Sequence, residues 1–315
     1  MSSPRPVQVA ALYIFVPLDD VPALQAQLSA LCAQHQLRGT VLLAAEGMNG
    51  TVAGTEAGIR ALRGFLDADP RLAPCTWKTS WADAMPFWRM KVRLKKEIVT
   101  MGVPGTDPAQ LNGQRVRGAE WNQLLDDPEV LVIDTRNQYE VDVGTFPGAV
   151  SPQTDTFRDF PDYVRNNLDP QQHKKVAMFC TGGIRCEKAT NYLLREGFAE
   201  VYHLDGGILQ YLEDVPTADN RWEGECFVFD GRVSVDKALQ PGVHTQCHAC
   251  RHPLTPEQRA DPRFVEGVQC PHCVDRLTPE QKARAAERHR QVTLAAQRGR
   301  AHLGEPQADG SSPSS

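Results

Sequence analysis

A thiol in a glycine-bearing turn is the strongest chemical signal in the chain. Cys180-Thr181-Gly182-Gly183-Ile184-Arg185-Cys186 follows the apolar run 176–179 and precedes a helix-like segment, 187–196, ended by Gly197. A sulfur at the hand-over from strand to helix meets backbone N–H groups and the positive end of the helix dipole, which favour thiolate over thiol. Arg185 adds a full positive charge, and Gly182 and Gly183 allow the positive φ of an anion-binding nest. The competing reading is a small buried cysteine at a strand end, which the glycine pair and the arginine disfavour. Cys186, in the first helical turn, could resolve an oxidised Cys180 as a disulfide or simply be a buried helix residue.

A second cysteine pattern lies downstream. Cys247-His248-Ala249-Cys250 and Cys270-Pro271-His272-Cys273 form two CxxC knuckles separated by 19 residues. Four thiolates from two tight turns complete a closed tetrahedral site, so structural zinc is expected at Cys247, Cys250, Cys270 and Cys273, with disulfides or unligated thiols as alternatives. With four thiolates available, His248, His252 and His272 are superfluous as ligands. No flavin, haem or non-haem-iron signature is recognisable.

Positive charge concentrates twice. Alternation along residues 89–95 puts Arg89, Lys91, Arg93 and Lys95 on one strand face, near Lys96, Trp77, Trp81, Phe87 and Trp88: a stripe that could track phosphates while aromatics stack a base, or a solvated sheet face. Past the knuckles, Lys282, Arg284, Arg288, Arg290, Arg298 and Arg300 stand against Glu280 and Glu287, a basic helix or a solvated tail.

The elements that must position these groups fall into segments. Residues 9–16 read as strand, 21–36 as helix, 40–46 as strand, 47–50 as a turn into strand 51–53, 56–68 as helix and 90–101 as strand: a β-α-β-β-α-β, ferredoxin-like plan over 1–101. A Gly- and Pro-rich linker follows over 102–118. In 119–217 short apolar runs at 130–133, 176–179 and 201–204 alternate with helical stretches, as in a parallel α/β sheet. Ligands of such sheets bind at the carboxyl ends of the strands, where Asp134, Cys180 and Asp205 should converge. The cysteine-rich region is 218–278, and 279–315 is a basic helix with a Ser/Pro-rich, disordered end from Ser311. A chain of 315 residues with net charge −5 is not coated for nonspecific nucleic-acid binding, though a local basic groove remains open. Nine cysteines, an odd count in a long chain, suit a reducing compartment better than a disulfide framework. The opening residues lack a signal-peptide core and no run spans a bilayer, so a soluble, cytoplasmic protein without membrane partners is expected.

Four motifs in order resemble the rhodanese domain: Asp134-Thr135-Arg136 with Glu140, Gly144-Thr145-Phe146-Pro147-Gly148-Ala149, the Cys180-x4-Arg185 loop and Asp205-Gly206-Gly207-Ile208. Outside it, Ala45-Glu46-Gly47-Met48-Asn49-Gly50-Thr51, Lys91 to Val99 and Gly224-Glu225-Cys226-Phe227-Val228-Phe229-Asp230 extend the likeness to about 8–275. Together they resemble the bacterial rhodanese-containing tRNA uridine(34) hydroxylase family. The resemblance implies oxygen-dependent conversion of the wobble uridine to 5-hydroxyuridine, with tRNA anticodon loops as partner, molecular oxygen as co-substrate and Cys180 as the essential cysteine. Thr181 and Ile184 fit the family loop, and Arg185 would stabilise an anionic intermediate. Cys180 could act as nucleophile at C6, as persulfide or as sulfenate. The other classes are a sulfurtransferase working through a Cys180 persulfide, and a non-enzymatic tRNA-binding adaptor.

Overall fold

The computed structural model describes residues 7–298; Arg300 and the Ser/Pro-rich end lie outside the described residues. The chain divides into two compact units at Val243/His244.

The first unit opens with β1 (Val7–Phe15), α1 (Val21–Gln34), β2 (Arg38–Ala44), β3 (Gly47–Gly54), α2 (Glu56–Asp67), β4 (Thr76–Ala82) and β5 (Met90–Leu94). Helix α1 buries Leu24, Leu28 and Cys32 at i, i+4 and i+8. Thr55 caps α2 by accepting from Gly58 N–H, and Ile59, Leu62 and Leu66 face the core. Both helices cover one side of a five-stranded sheet of order β4-β1-β3-β2-β5, against Leu12, Val41, Leu43 and Val52.

Three sequence expectations change here. The fourth strand of the ferredoxin-like plan is β4, antiparallel to β1, whereas the strand expected over 90–101 ends at Leu94 and adds parallel to β2 on the opposite edge. The turn expected at 47–50 is Ala45-Glu46, and all of Gly47–Gly54 is strand. Part of the stretch read as linker, Gln114–Val116, is strand β6 of the next sheet.

That sheet continues with α3 (Gly118–Asp126), β7 (Val130–Asp134), α4 (Gln138–Val141), β8 (Gly144–Thr145), α5 (Phe160–Asn167), β9 (Lys175–Phe179), α6 (Ile184–Arg195), β10 (Glu200–Leu204) and α7 (Gly207–Asp214). Its order is β6-β10-β9-β7, all parallel. Apolar side chains cover both faces, as expected of short continuous runs flanked by helices. Short pairs β11 (Glu223–Gly224) with β8, and β12 (Cys226–Phe227) with β13 (Ser234–Val235), complete the unit.

The second unit holds β14 (Thr245–Gln246) paired with β15 (Pro253–Leu254), α8 (Pro256–Ala260) and α9 (Pro279–Gln297). Its small core is Leu254 with the knuckle cysteines. Among the described residues no helix is long and apolar enough to cross a membrane.

Candidate active site

Strand β9 delivers Cys180 to a turn closed by Gly183, the N-cap of α6, at φ +97°. Only Gly183 of the glycine pair takes a positive φ, and it donates its N–H to Cys180 Sγ at 3.1 Å. Helix α6 starts three residues earlier than its apolar pattern suggests, which puts the amides of Arg185 and Cys186 in its first turn, at the sulfur. Burial pushes the Cys180 thiol up. The Cys186 thiol hydrogen bond, the Arg185 charge and those two amides outweigh it and bring the pKa down to about 6. Burial and the adjoining Cys180 push Cys186 well above its ordinary value, so Cys186 is the donor and Cys180 the anion.

Arg185 is fixed by Glu140, through Nη1 at 2.6 Å and Nη2 at 2.8 Å. Burial alone would raise the Glu140 carboxyl, yet the Arg185 guanidinium holds it below the usual carboxylate range. Thr181 Oγ1 donates to the same carboxylate at 3.3 Å. Sequence reasoning placed Glu140 in a motif without a role; its signal is the Asn137-x-x-Glu140 spacing, in which Asn137 N–H donates to Glu140 at 3.2 Å. Helix α7 holds the loop from behind, its Ile208 and Leu209 amides donating to the Cys180 and Thr181 carbonyls at 3.0 and 3.1 Å. A methyl group on Gly207 would lie 2.4 Å from the Cys180 carbonyl oxygen, so only glycine allows this approach.

Asp134 and Arg136 do not reach the reactive sulfur. They form a buried pair at 2.6 Å, and Arg136 also donates to the Glu140 and Gly144 carbonyls and lies over Phe179 and Trp222. Their role is to hold the floor under Glu140. Asp205 likewise turns away, to Arg117.

A cavity of about 540 Å³ opens over Cys180, Thr181, Gly182, Ile184 and Arg185, and its opposite wall is the helix-free face of the N-terminal sheet. Strand registers align Thr76, Tyr13, Asn49, Leu42 and Arg93 in one row, and Lys78, Ala11, Thr51, Thr40 and Lys91 in the next. All but Lys91 and Arg93 line the cavity, and those two carry the same face out to the β5 edge. Met90 and Val92 pack on the helix side, so Lys91 and Arg93 take the opposite face, whereas Arg89 and Lys95 lie outside β5; Arg89, Arg93 and Lys95 are exposed and Lys91 is half-buried. Trp77 packs with the helix-side core and also borders the cavity, which Phe87 lines as well.

Sequence reasoning missed how the sheet is fastened over the loop. Lys188 of α6, fully buried, reaches Glu46 at 2.9 Å, Glu97 at 2.6 Å and the Val99 carbonyl at 2.9 Å. Tyr13 donates to Glu187 at 2.9 Å, with burial pushing both groups upward in pKa. The Glu46 and Glu97 motifs are therefore anchors between sheet and α6.

In the second unit the donor atoms of Cys247, Cys250, Cys270 and Cys273 all lie within 4.8 Å of one another. Cys250 and Cys270 sulfurs are 3.6 Å apart, Cys270 and Cys273 3.7 Å. Tetrahedral Zn–S bonds of about 2.3 Å require sulfur–sulfur edges of about 3.8 Å, so this donor set fits such a metal. In α9, Lys282, Arg284 and Arg288 are accompanied by Arg290, which is paired with Glu287.

Two family profiles match the first unit: the UPF0176 acylphosphatase-like domain over residues 7–98 and the rhodanese-like domain over 118–214. The chain belongs to the UPF0176 rhodanese-containing family. The rhodanese-like domain, with its loop cysteine in place, points to sulfurtransferase-type enzyme chemistry in this UPF0176 member. Solved structures show partial likenesses. A rhodanese-like domain from Anabaena sp. is 20% identical over 36% of this chain and 80% of its own, at TM-score 0.30. A rhodanese-like domain protein from Staphylococcus aureus is 24% identical over 31% and 90%, at TM-score 0.27. BlrB, a BLUF protein, is 19% identical over 32% and 81%, at TM-score 0.27.

Proposed function

We propose that the protein is a tRNA-modifying oxidoreductase that hydroxylates C5 of uridine 34 in anticodon loops, with Cys180 as nucleophile. The observation that carries this reading is the cavity shared by the Cys180 loop and a sheet face whose outer rows end in Lys91 and Arg93. Transfer of a sulfur atom needs no second domain over the thiolate, whereas an unpaired base splayed from a loop needs walls, and its phosphates need cations.

The Cys180 thiolate adds to C6 of uracil, forming a C–S bond and sending the C5–C6 π pair to C5 and the C4 oxygen. C5 captures dioxygen as a peroxide. A thiol reductant supplies two electrons and, with two protons, takes the outer oxygen to water and leaves a C5 hydroxyl. Loss of the C5 proton then expels Cys180 and restores the double bond. Arg185 and the α6 amides carry the anionic sulfur before and after.

Nucleoside mass spectrometry of tRNA from deletion cells complemented with wild type or Cys180→Ser tests the reading. 5-Hydroxyuridine should return only with wild type. Unchanged modification, together with conversion of thiosulfate and cyanide to thiocyanate, would replace it with a sulfurtransferase. That second reading draws on the same Gly183 amide, which suits a persulfide anion equally well. Restoration by Cys180→Ser would leave an adaptor. The four knuckle thiolates hold structural zinc in this reading, which metal analysis of protein purified without chelator checks.

A further inference from the structure

The Gly224-to-Asp230 motif lies beyond the rhodanese match, yet Val228, Phe229, Asp230 and Arg232 wall the cavity. The segment is held firmly. Asp230 pairs with Arg232 at 2.6 Å, Arg232 donates to Ser80 Oγ at 2.9 Å and to the Trp81 carbonyl at 3.3 Å, and Gly231 N–H donates to the Pro86 carbonyl at 2.9 Å. On this rigid segment Phe229 is 56% exposed, while Phe227 beneath it is buried and props it edge-on at 5.1 Å. The Arg185 guanidinium lies 5.8 Å from the Phe229 ring centroid, so the ring stands beside the loop that bears the thiolate. A large aromatic kept exposed by fixed backbone, next to a reactive sulfur and a cation, is a recognition surface rather than a packing remnant.

We propose that Phe229 is the stacking wall for one unpaired pyrimidine base entering the cavity over Cys180. The proposal rests on the RNA reading above and adds the residue that orients the base. An aromatic face accepts any base, so the amide and hydroxyl side chains of the opposite wall, Asn49, Thr51 and Thr40 among them, supply the polar contacts to its edge. Lys91 and Arg93, on the same face as that wall, suit the flanking phosphates.

The test uses the full chain and an anticodon stem-loop carrying a fluorescent pyrimidine analogue at position 34. Wild type should quench the analogue on binding, Phe229→Trp should retain the quench, and Phe229→Leu, which keeps the apolar bulk, should lose it. Turnover should show KM for tRNA raised about 5- to 150-fold in Phe229→Leu, the span of one base–aromatic stack. The rate of Cys180 alkylation by a small reagent should stay unchanged, which excludes collapse of the loop. Quench and KM unaltered in Phe229→Leu would overturn the stacking role and leave the hydroxylase reading standing. No binding or modification by wild type would overturn the reading itself, and Phe229 would then serve another partner.

Discussion

Cys180 and Cys270 each open a short turn and each receive hydrogen-bond donors, but the company they keep differs in kind. Around Cys180 stand an amide at 3.1 Å, a guanidinium locked by a carboxylate and a second thiol that donates. Around Cys270 stand other sulfurs, at 3.6 and 3.7 Å. A sulfur surrounded by donors and a fixed cation is held as an anion, ready to attack. Four converging sulfurs can all be anions only if a cation joins them. One residue type thus suits chemistry in the first unit and metal binding in the second, and the difference lies in what surrounds the sulfur: a fixed guanidinium and one further thiol, or three converging thiols.

The largest expected effect falls on the first side of this comparison. Cys180→Ser should lower 5-hydroxyuridine formation by about three orders of magnitude or more while leaving the thermal transition of the first unit in place. The counterpart is Cys270→Ser or chelation, which should abolish the separate unfolding transition of the second unit, because Leu254, Phe264, Leu277 and Ala249 pack around the cysteines as its small core. Calorimetry of the full chain reads both. If chelation leaves every transition unmoved, the four thiols are not a metal centre, and the contrast between the two clusters loses one of its terms.

Both cysteine patterns were legible because each is local: a strand, glycines and an arginine in seven residues, or two residues between paired thiols. Strand β4 was not, since Thr76, Lys78 and Ser80 face the cavity and leave no apolar alternation to read. The clamp on Lys188 was equally hidden, its partner Glu97 lying 91 positions away. Glu140 and the Asp134–Arg136 pair appear in sequence as motif residues, and only packing separates the one that holds Arg185 from the two that hold the floor. Phe229 reads as one more residue of the Gly224-to-Asp230 motif until its exposure beside the loop is known.

A third change separates charge from fold. Arg185→Gln removes the cation beside the sulfur and leaves Glu140 buried without its main partner, which should cost about 3–5 kcal/mol of stability. The alkylation profile of Cys180 should move with it. In wild type the thiolate forms as pH rises through about 6, so the rate should be flat from about pH 7 upward. In the variant the midpoint lies higher, and the rate at pH 6.5 falls. An unmoved midpoint would mean that the amides and the Cys186 thiol hold the anion without the guanidinium.

The mildest change to the fold is Cys186→Ala, which deletes one donor and no charge. A thiol is a weak donor, yet its loss removes a group that favours the anion, so the Cys180 midpoint should rise above about 6. Below that midpoint the variant reacts slowly, and above it the rate should recover, because the nucleophile itself is intact. Cys186→Ser keeps a hydroxyl that can donate and should fall between. The same pair of proteins decides whether Cys186 does more than donate. Resolution of an oxidised Cys180 requires a sulfur at position 186, so turnover in Cys186→Ser and Cys186→Ala, measured at a pH above both midpoints, should match wild type if donation is its whole part. A loss of turnover there, with the alkylation rate of Cys180 restored, would instead make Cys186 a redox partner and bring the first cysteine cluster closer in kind to the second.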